Sequence, residues 1–166
     1  MATLEETAYA EPIGKIDAVI TAEIRLCRES DLSGLEWMGL YAQHRGVIRQ
    51  TFEAQQRGDA LMLLAVSAEF PIAQIWIDLK RTDCPRTAEF WAIRTFWPLQ
   101  GRGIGRRMLW AAEKVIRNLG YVRAELEVER TNKGAVRFYQ NPGWIRFEND
   151  PMSDVKLRFA KCLQPK

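Results

Sequence analysis

The chain holds a single histidine, His44, and only three cysteines, Cys27, Cys84 and Cys162, none spaced as Cys-x-x-Cys. A zinc site has too few soft ligands, and no disulfide framework can be drawn. The expectation is three free thiols in a reducing cytoplasm, with no metal. No apolar run approaches the roughly 20 residues that span a bilayer, so no membrane partner is expected. The first residues, Met1 to Glu6, are acidic and lack the apolar core of a signal peptide. Net charge is only +3, with neither a broad basic face nor a recognisable nucleic-acid module, which argues against a nucleic-acid partner. Internal repeats and low-complexity segments are absent as well.

What is present suits one compact enzyme. A chain of 166 residues with 47% hydrophobic content can bury a substantial core as one domain. Residues 1–22 have no clear period and read as a tail or accessory strand, leaving 23–166 as the domain. Ala22 to Cys27 alternates as a strand, and Ser30 or Asp31 can cap a helix through about Gln43. A second helix fits His44 to Arg57 and ends at Gly58. Strands are predicted at Leu61–Ser67, Ile72–Leu79 and Ala88–Phe96, with breaks at Glu69-Phe70-Pro71 and Thr82-Asp83-Cys84-Pro85. The long helix after residue 103 comes next, then strand Val122–Glu129, helix Lys133–Gln140, and strands near Trp144–Phe147 and Val155–Ala160. This pattern predicts an α/β (α+β) fold, a mixed sheet flanked by helices.

The densest signal is Leu99-Gln100-Gly101-Arg102-Gly103-Ile104-Gly105-Arg106-Arg107, where a strand gives way to an amphipathic helix. Glycines let the backbone turn sharply and approach a ligand, and a helix start leaves N–H groups unpaired. Together with the helix dipole they favour phosphate. Apolar residues at Ile104, Met108, Leu109, Ala112, Val115, Ile116 and Leu119 give one buried stripe, and Gly120 suits a left-handed cap. A P-loop needs a lysine and a hydroxyl that this loop lacks. The dinucleotide fingerprint needs a third glycine where Arg106 stands, and the preceding chain lacks repeated strand–helix alternation. A nicotinamide- or flavin-binding oxidoreductase is therefore disfavoured.

The spacing Gln-Gly-x-Gly-Ile-Gly before an amphipathic helix resembles the acetyl-CoA loop of the GNAT superfamily of N-acetyltransferases. Downstream, Leu126-Glu127-Val128, Asn132, Ala135, Phe138-Tyr139 and Gly143-Trp144 are similar to the family's second signature. Ile24-Arg25 and Asp31-Leu32 resemble its first strand and helix start, so the resemblance spans roughly 23–160. Trp97 stands where the family often has proline, with Pro98 one place later, and Pro142 replaces an apolar residue before Gly143. Neither departure removes a group that the chemistry needs.

The resemblance implies a GNAT-like fold: a mixed, mostly antiparallel sheet with a splayed strand pair at the cofactor site. It implies an acetyl-CoA-dependent N-acetyltransferase that moves acetyl to a primary amine by direct attack in a ternary complex. A non-catalytic acetyl-CoA sensor of the same fold is the alternative. Ile93, Arg94 and Thr95 would pair with the pantetheine arm through main-chain atoms, or form a plain interior strand. Gly101, Arg102, Gly103, Ile104, Gly105 and Arg106 would take the pyrophosphate, with Gln100 beside them among the cofactor-binding residues. Asn132 would bond the amide arm, cap the next helix, or do both.

Tyr139 is the candidate general acid, because a phenol suits donation to a departing thiolate; its other reading is a core tyrosine beside Phe138. Glu127 is the candidate base, although alternation puts Glu125, Glu127 and Glu129 on one face, which also fits a solvated stripe. Glu89 is the second choice, acting through an ordered water. His44 sits at a helix boundary and reads as a packing residue. No cysteine lies in these motifs, so an acyl-enzyme is not expected. Trp37, Tyr41, Trp76 and Trp91 either line an aromatic acceptor pocket or belong to the core. The acceptor, a small molecule or peptide amine, and the choice of monomer or homodimer stay open.

Overall fold

Ala60–Ser67 carries almost no polar side chain and forms a strand, β2, buried on both faces in the computed structural model. Residues 16–80, 83–140, 143–147 and 155–163 are described. Residues 1–15 of the expected tail, Thr82 of the expected turn and Pro142 lie outside them; 16–22 precede β1 without helix or strand.

The other strands are β1 (Glu23–Leu26), β3 (Phe70–Asp78), β4 (Thr87–Thr95), β5 (Arg123–Glu129), β6 (Ile145–Phe147) and β7 (Lys156–Cys162). They form one seven-stranded sheet in the order β1-β2-β3-β4-β5-β7-β6. Only β4 and β5 run parallel; every other neighbouring pair is antiparallel. This is the mixed, mostly antiparallel sheet the sequence predicts.

Among the described residues three α-helices cover it: α1 (Arg45–Gln56), α2 (Ile104–Asn118) and α3 (Lys133–Gln140). On one face, α2 and α3 pack over Ile75, Ile77, Phe90, Leu126 and Phe159 in the larger core. On the other, Ile48 and Phe52 of α1 meet Met62, Leu64 and Trp76 in a smaller one. No helix among the described residues is long and apolar enough to cross a membrane.

Two local expectations need correction. The helix predicted from Ser30 or Asp31 to Gln43 is instead three short 3-10 turns, Glu29–Asp31, Gly34–Glu36 and Ala42–His44. Between the last two, Trp37, Met38 and Gly39 all take left-handed conformations. Tertiary contacts override the helical spacing: Trp37 Nε1 donates to the Pro71 carbonyl at 2.8 Å, and the indole is 3% exposed. A Cβ on Gly34 would stand 2.7 Å from Pro71, so the chain presses against β3 at a position where only glycine fits. Asp31 still closes the first turn. It accepts from the Arg28 N–H at 2.7 Å and from both Arg25 terminal nitrogens, at 2.7 and 2.9 Å.

The second correction concerns the β2–β3 hairpin. Ala68 and Glu69 are both left-handed, as a two-residue turn matching strand twist requires, so β3 begins at Phe70 rather than Ile72. Pro71 is accommodated because the register shifts beside it, opposite Ala65 and Val66.

Candidate active site

The site begins with one extra residue in β4. Trp76 pairs with Trp91 and Gln74 with Arg94, so two steps on β3 face three on β4. Ala92 absorbs the excess with φ of 47°, a left-handed bulge in mid-strand. Buried Gln74 secures it, donating from Nε2 to the Ala92 carbonyl at 3.0 Å. On the opposite edge, parallel pairing with β5 stops at Phe90–Leu126. Beyond that pair β4 and β5 part, and among the described residues the edge of Ile93, Arg94 and Thr95 has no strand partner on the β5 side.

A cleft of about 600 Å3 fills the opening. Its walls include Ile93 to Thr95 of β4, Gln100, Gly101 and Gly103 to Arg106 of the loop and α2, and Asn132, Phe138 and Tyr139 around α3. Strand, glycine loop, asparagine and tyrosine, far apart in the chain, converge on one surface. The volume falls in the usual range for small-molecule sites.

Gly101 and Gly103 have φ of 76° and 79°, a region that disfavours other residues. Gly103 caps α2, so the amides at the first helical positions have no intrahelical acceptor. Gln100 Nε2 donates back to the Thr95 carbonyl at 3.1 Å, tying the loop to the strand end. Gly105 is inside the helix, where an added Cβ would meet Phe138 and Thr95 at ordinary contact distance. Of the arginines, Arg106 lines the cleft. Arg102 and Arg107 line a neighbouring groove of about 330 Å3 beside Ile24 and Met108.

Asn132 accepts from the Ala135 N–H through Oδ1 at 3.0 Å and so caps α3, while also lining the cleft. Tyr139 is 5% exposed, wedged among Phe138, Trp144 and Phe159, yet it also borders the cleft. Burial holds its phenol protonated, well above the ordinary tyrosine value. Trp144 is fixed in turn, donating to Glu113 at 3.0 Å, and Glu113 also receives Lys161 at 2.8 Å.

The two candidate bases lie on the far side of the sheet. Leu126 and Val128 enter the larger core, so Glu127 points the other way. Glu127 and Glu89 share a hollow of about 370 Å3 with Asp78, Trp91 and Lys156. Lys156 Nζ meets Glu127 at 3.1 Å. Glu125 departs from the expected solvated stripe: it is buried and held by Arg123 and Arg158. Of the four aromatics, Trp37 and Trp76 are core residues, whereas Trp91 is 38% exposed and lines the hollow. Burial pushes the Cys27 thiol up to about 12, leaving it a poor nucleophile. Sequence reading missed Gln74, whose only signal is a polar residue inside an apolar strand, and the facing of Arg94, which the bulge reverses.

The family model described as "Acetyltransferase (GNAT) family" matches residues 30–144. None of the curated proteins matches the sequence. Among solved structures, a GNAT-family acetyltransferase from Staphylococcus aureus Mu50 is similar with a TM-score of 0.71 at 14% identity, over 87% of this chain and 100% of that one. The PaiA N-acetyltransferase of Thermoplasma acidophilum, in complex with coenzyme A, has a TM-score of 0.68 at 22% identity, covering 86% and 99%. The ribosomal-protein-S18-alanine N-acetyltransferase of Escherichia coli also has a TM-score of 0.68, at 17% identity over 88% and 96%.

Proposed function

This chain belongs to the GNAT acetyltransferase family, and we propose that it transfers acetyl from acetyl-CoA to a primary amine by direct attack in a ternary complex. The observation that carries this reading is the bulge at Ala92, which turns an open strand edge toward the cleft lined by Tyr139 and the glycine loop. An unpaired edge offers main-chain groups to the pantetheine amides, and an N–H there stabilises a developing oxyanion. The left-handed loop and the free amides of α2 suit a pyrophosphate. A relative of the same fold is solved with coenzyme A bound, which supports the donor assignment.

In the proposed reaction the amine nitrogen attacks the thioester carbonyl and a C–N bond forms. The C–S bond breaks, and sulfur leaves as a thiolate that takes the proton of Tyr139. The proton shed by nitrogen passes to Glu127, or through water to Glu89, on the side opposite the donor cleft. The products are an amide and free coenzyme A, and solvent restores both side chains. Burial keeps the Tyr139 phenol protonated, the state a donor needs, while making it a weaker acid than an exposed tyrosine, so its placement on the cleft wall is what supports the donor role.

The experiment is thiol release from acetyl-CoA with a mixed panel of primary amines, alongside calorimetry with coenzyme A. Amine-dependent release is the expected result. Coenzyme A binding with no release on any amine would point to the sensor reading instead.

A further inference from the structure

Past the bulge, β4 shows its main chain to one side of the sheet and a cation to the other. Ile93 joins the larger core beside α2, and Thr95 Oγ1 lies 3.6 Å from where a Cβ on Gly105 would be. Arg94, between them, projects to the opposite face, and its guanidinium lies 4.2 Å over the Tyr41 ring. Its register partner Gln74 sits on β3 between Ala73 and Ile75, two residues of the larger core, and so shares the face that Arg94 occupies.

We propose that Arg94 selects the acceptor, favouring an amine with an acidic group beside it: an α-amino acid or a zwitterion of the same pattern. This rests on the acetyltransferase reading above.

Three observations lead there. Six other arginines, Arg25, Arg45, Arg49, Arg57, Arg123 and Arg158, each hold a carboxylate. Among the described residues Arg94 meets none, and its guanidinium lies over an aromatic ring instead. A guanidinium stacked on a ring keeps its in-plane N–H fork available, the geometry that grips a carboxylate by two hydrogen bonds.

The platform is also fixed in place. Tyr41 packs edge-on against Trp37 at 5.4 Å, and its N–H bonds the Glu36 carbonyl at 2.9 Å. Trp37 is anchored to Pro71, and Glu36 is held by Arg45 at 2.6 and 2.8 Å. A cation set on such a support loses little freedom when it binds an anion.

The last observation is the charge pattern along the strand. Three acids, Glu89, Glu127 and Asp78, line the hollow at Trp91 with one lysine, Lys156 on Glu127, so the side of Ala92 toward the hollow is net negative and Arg94 lies on the other. From Trp91 to Arg94 is roughly 10 Å of strand at ~3.3 Å per residue. Negative charge on one side of the gap and positive on the other complement a small dipolar molecule, amine toward the acids and acid toward Arg94. A molecule carrying only positive charges meets Arg94 as a repulsion.

Calorimetric titration of the protein–coenzyme A complex tests this, using L-leucine, L-phenylalanine, L-glutamate and L-lysine, each against its carboxamide. At least one acid is expected to bind about tenfold or more tighter than its amide. Arg94→Gln should bring that ratio to within about twofold, Arg94→Lys should keep part of it, and Tyr41→Leu should lower it without altering β4. Because the ratio is taken within each protein, a general weakening of the donor site cancels. Equal binding of every acid and its amide, no binding of any acid, or a preference that survives Arg94→Gln overturns the proposal. Thiol release is measured in parallel: an acid preference without acetyl transfer would refute the enzymatic reading while leaving the role of Arg94 intact.

Discussion

Replacing Gly103 by asparagine and by aspartate separates the backbone cost of the loop from its charge preference. Gly103 has φ of 79° and ψ of 0°, and no heavy atom lies within 4 Å of an added Cβ. The Cβ that both variants add meets no neighbour, so their shared cost is that of a left-handed residue, roughly 1–2 kcal/mol and least for Asn and Asp. The two variants then differ by one negative charge. If a pyrophosphate seated on the loop lies about 5 Å from a carboxylate on residue 103, Coulomb's law sets the scale of their repulsion. With about two negative charges there and an effective dielectric of about 40–80, the repulsion is about 2–3 kcal/mol. Gly103→Asp should thus bind coenzyme A roughly 30- to 150-fold more weakly than Gly103→Asn at low salt. The gap should shrink in 1 M salt, where the Debye length falls to about 3 Å. Calorimetry at both ionic strengths reads the ratio. Affinities within about threefold at low salt would mean that the pyrophosphate does not sit on this loop.

Tyr139→Phe should lower kcat on the order of 100-fold while sparing coenzyme A affinity, and full activity would reduce the tyrosine to a packing residue. Burial raises its pKa, so the native enzyme should show no alkaline loss of kcat near pH 10 from this group; a pH–rate profile of the native enzyme checks it. Glu127→Gln should lower kcat/KM most below the acceptor amine's own pKa and recover as pH rises, whereas a pH-independent defect would argue against a base. Asp31→Asn should cost about 2–3 kcal/mol of stability at pH 7, because losing the buried carboxylate leaves the Arg25 guanidinium without its counter-charge. The Arg25 guanidinium, then the Arg28 N–H, hold Asp31 below its ordinary value against the opposing effect of burial. Its stabilisation is therefore present above pH ~4 and lost as pH falls through the lowered pKa. Urea melts at pH 7 and pH 3 should show the difference closing in acid.

The sequence made the donor side more legible than the acceptor side, for a physical reason. In the proposed reading phosphate and pantetheine are gripped by main chain, which would leave its mark as glycines at 101, 103 and 105 and as an abrupt start of helical periodicity. Helix α3 was predicted with the bounds observed, since Asn132 supplies a local cap and the apolar spacing behind it is strict. The proposed acceptor side would instead be made by side chains brought together across the sheet. Residues 30–43 have helical apolar spacing, yet the anchoring of Trp37 to Pro71, 34 residues away, wins over local preference. The facing of Arg94 was hidden for a related reason. Simple alternation from Ala88 and Phe90 puts Arg94 in the core, and nothing in Trp91-Ala92-Ile93 announces a left-handed alanine. Gln74 was the one available hint, a polar side chain inside β3 that needs a partner and finds it in the Ala92 carbonyl.

That bulge makes β4 unusually sensitive to length rather than to composition. Removing Ala92 would not simply shorten the strand; it would invert the phase of everything after it. Arg94 would be driven toward the Ile93 side, among apolar neighbours, and Ile93 would be turned out toward Tyr41. One codon lost at this position would exchange the inside and outside of the strand that forms the floor of the cleft. Substitutions at residues 93 to 95, by contrast, keep the phase and leave the main-chain edge where it is. For this strand a deletion and a substitution are different kinds of event, and only the substitution leaves its two faces free to vary independently.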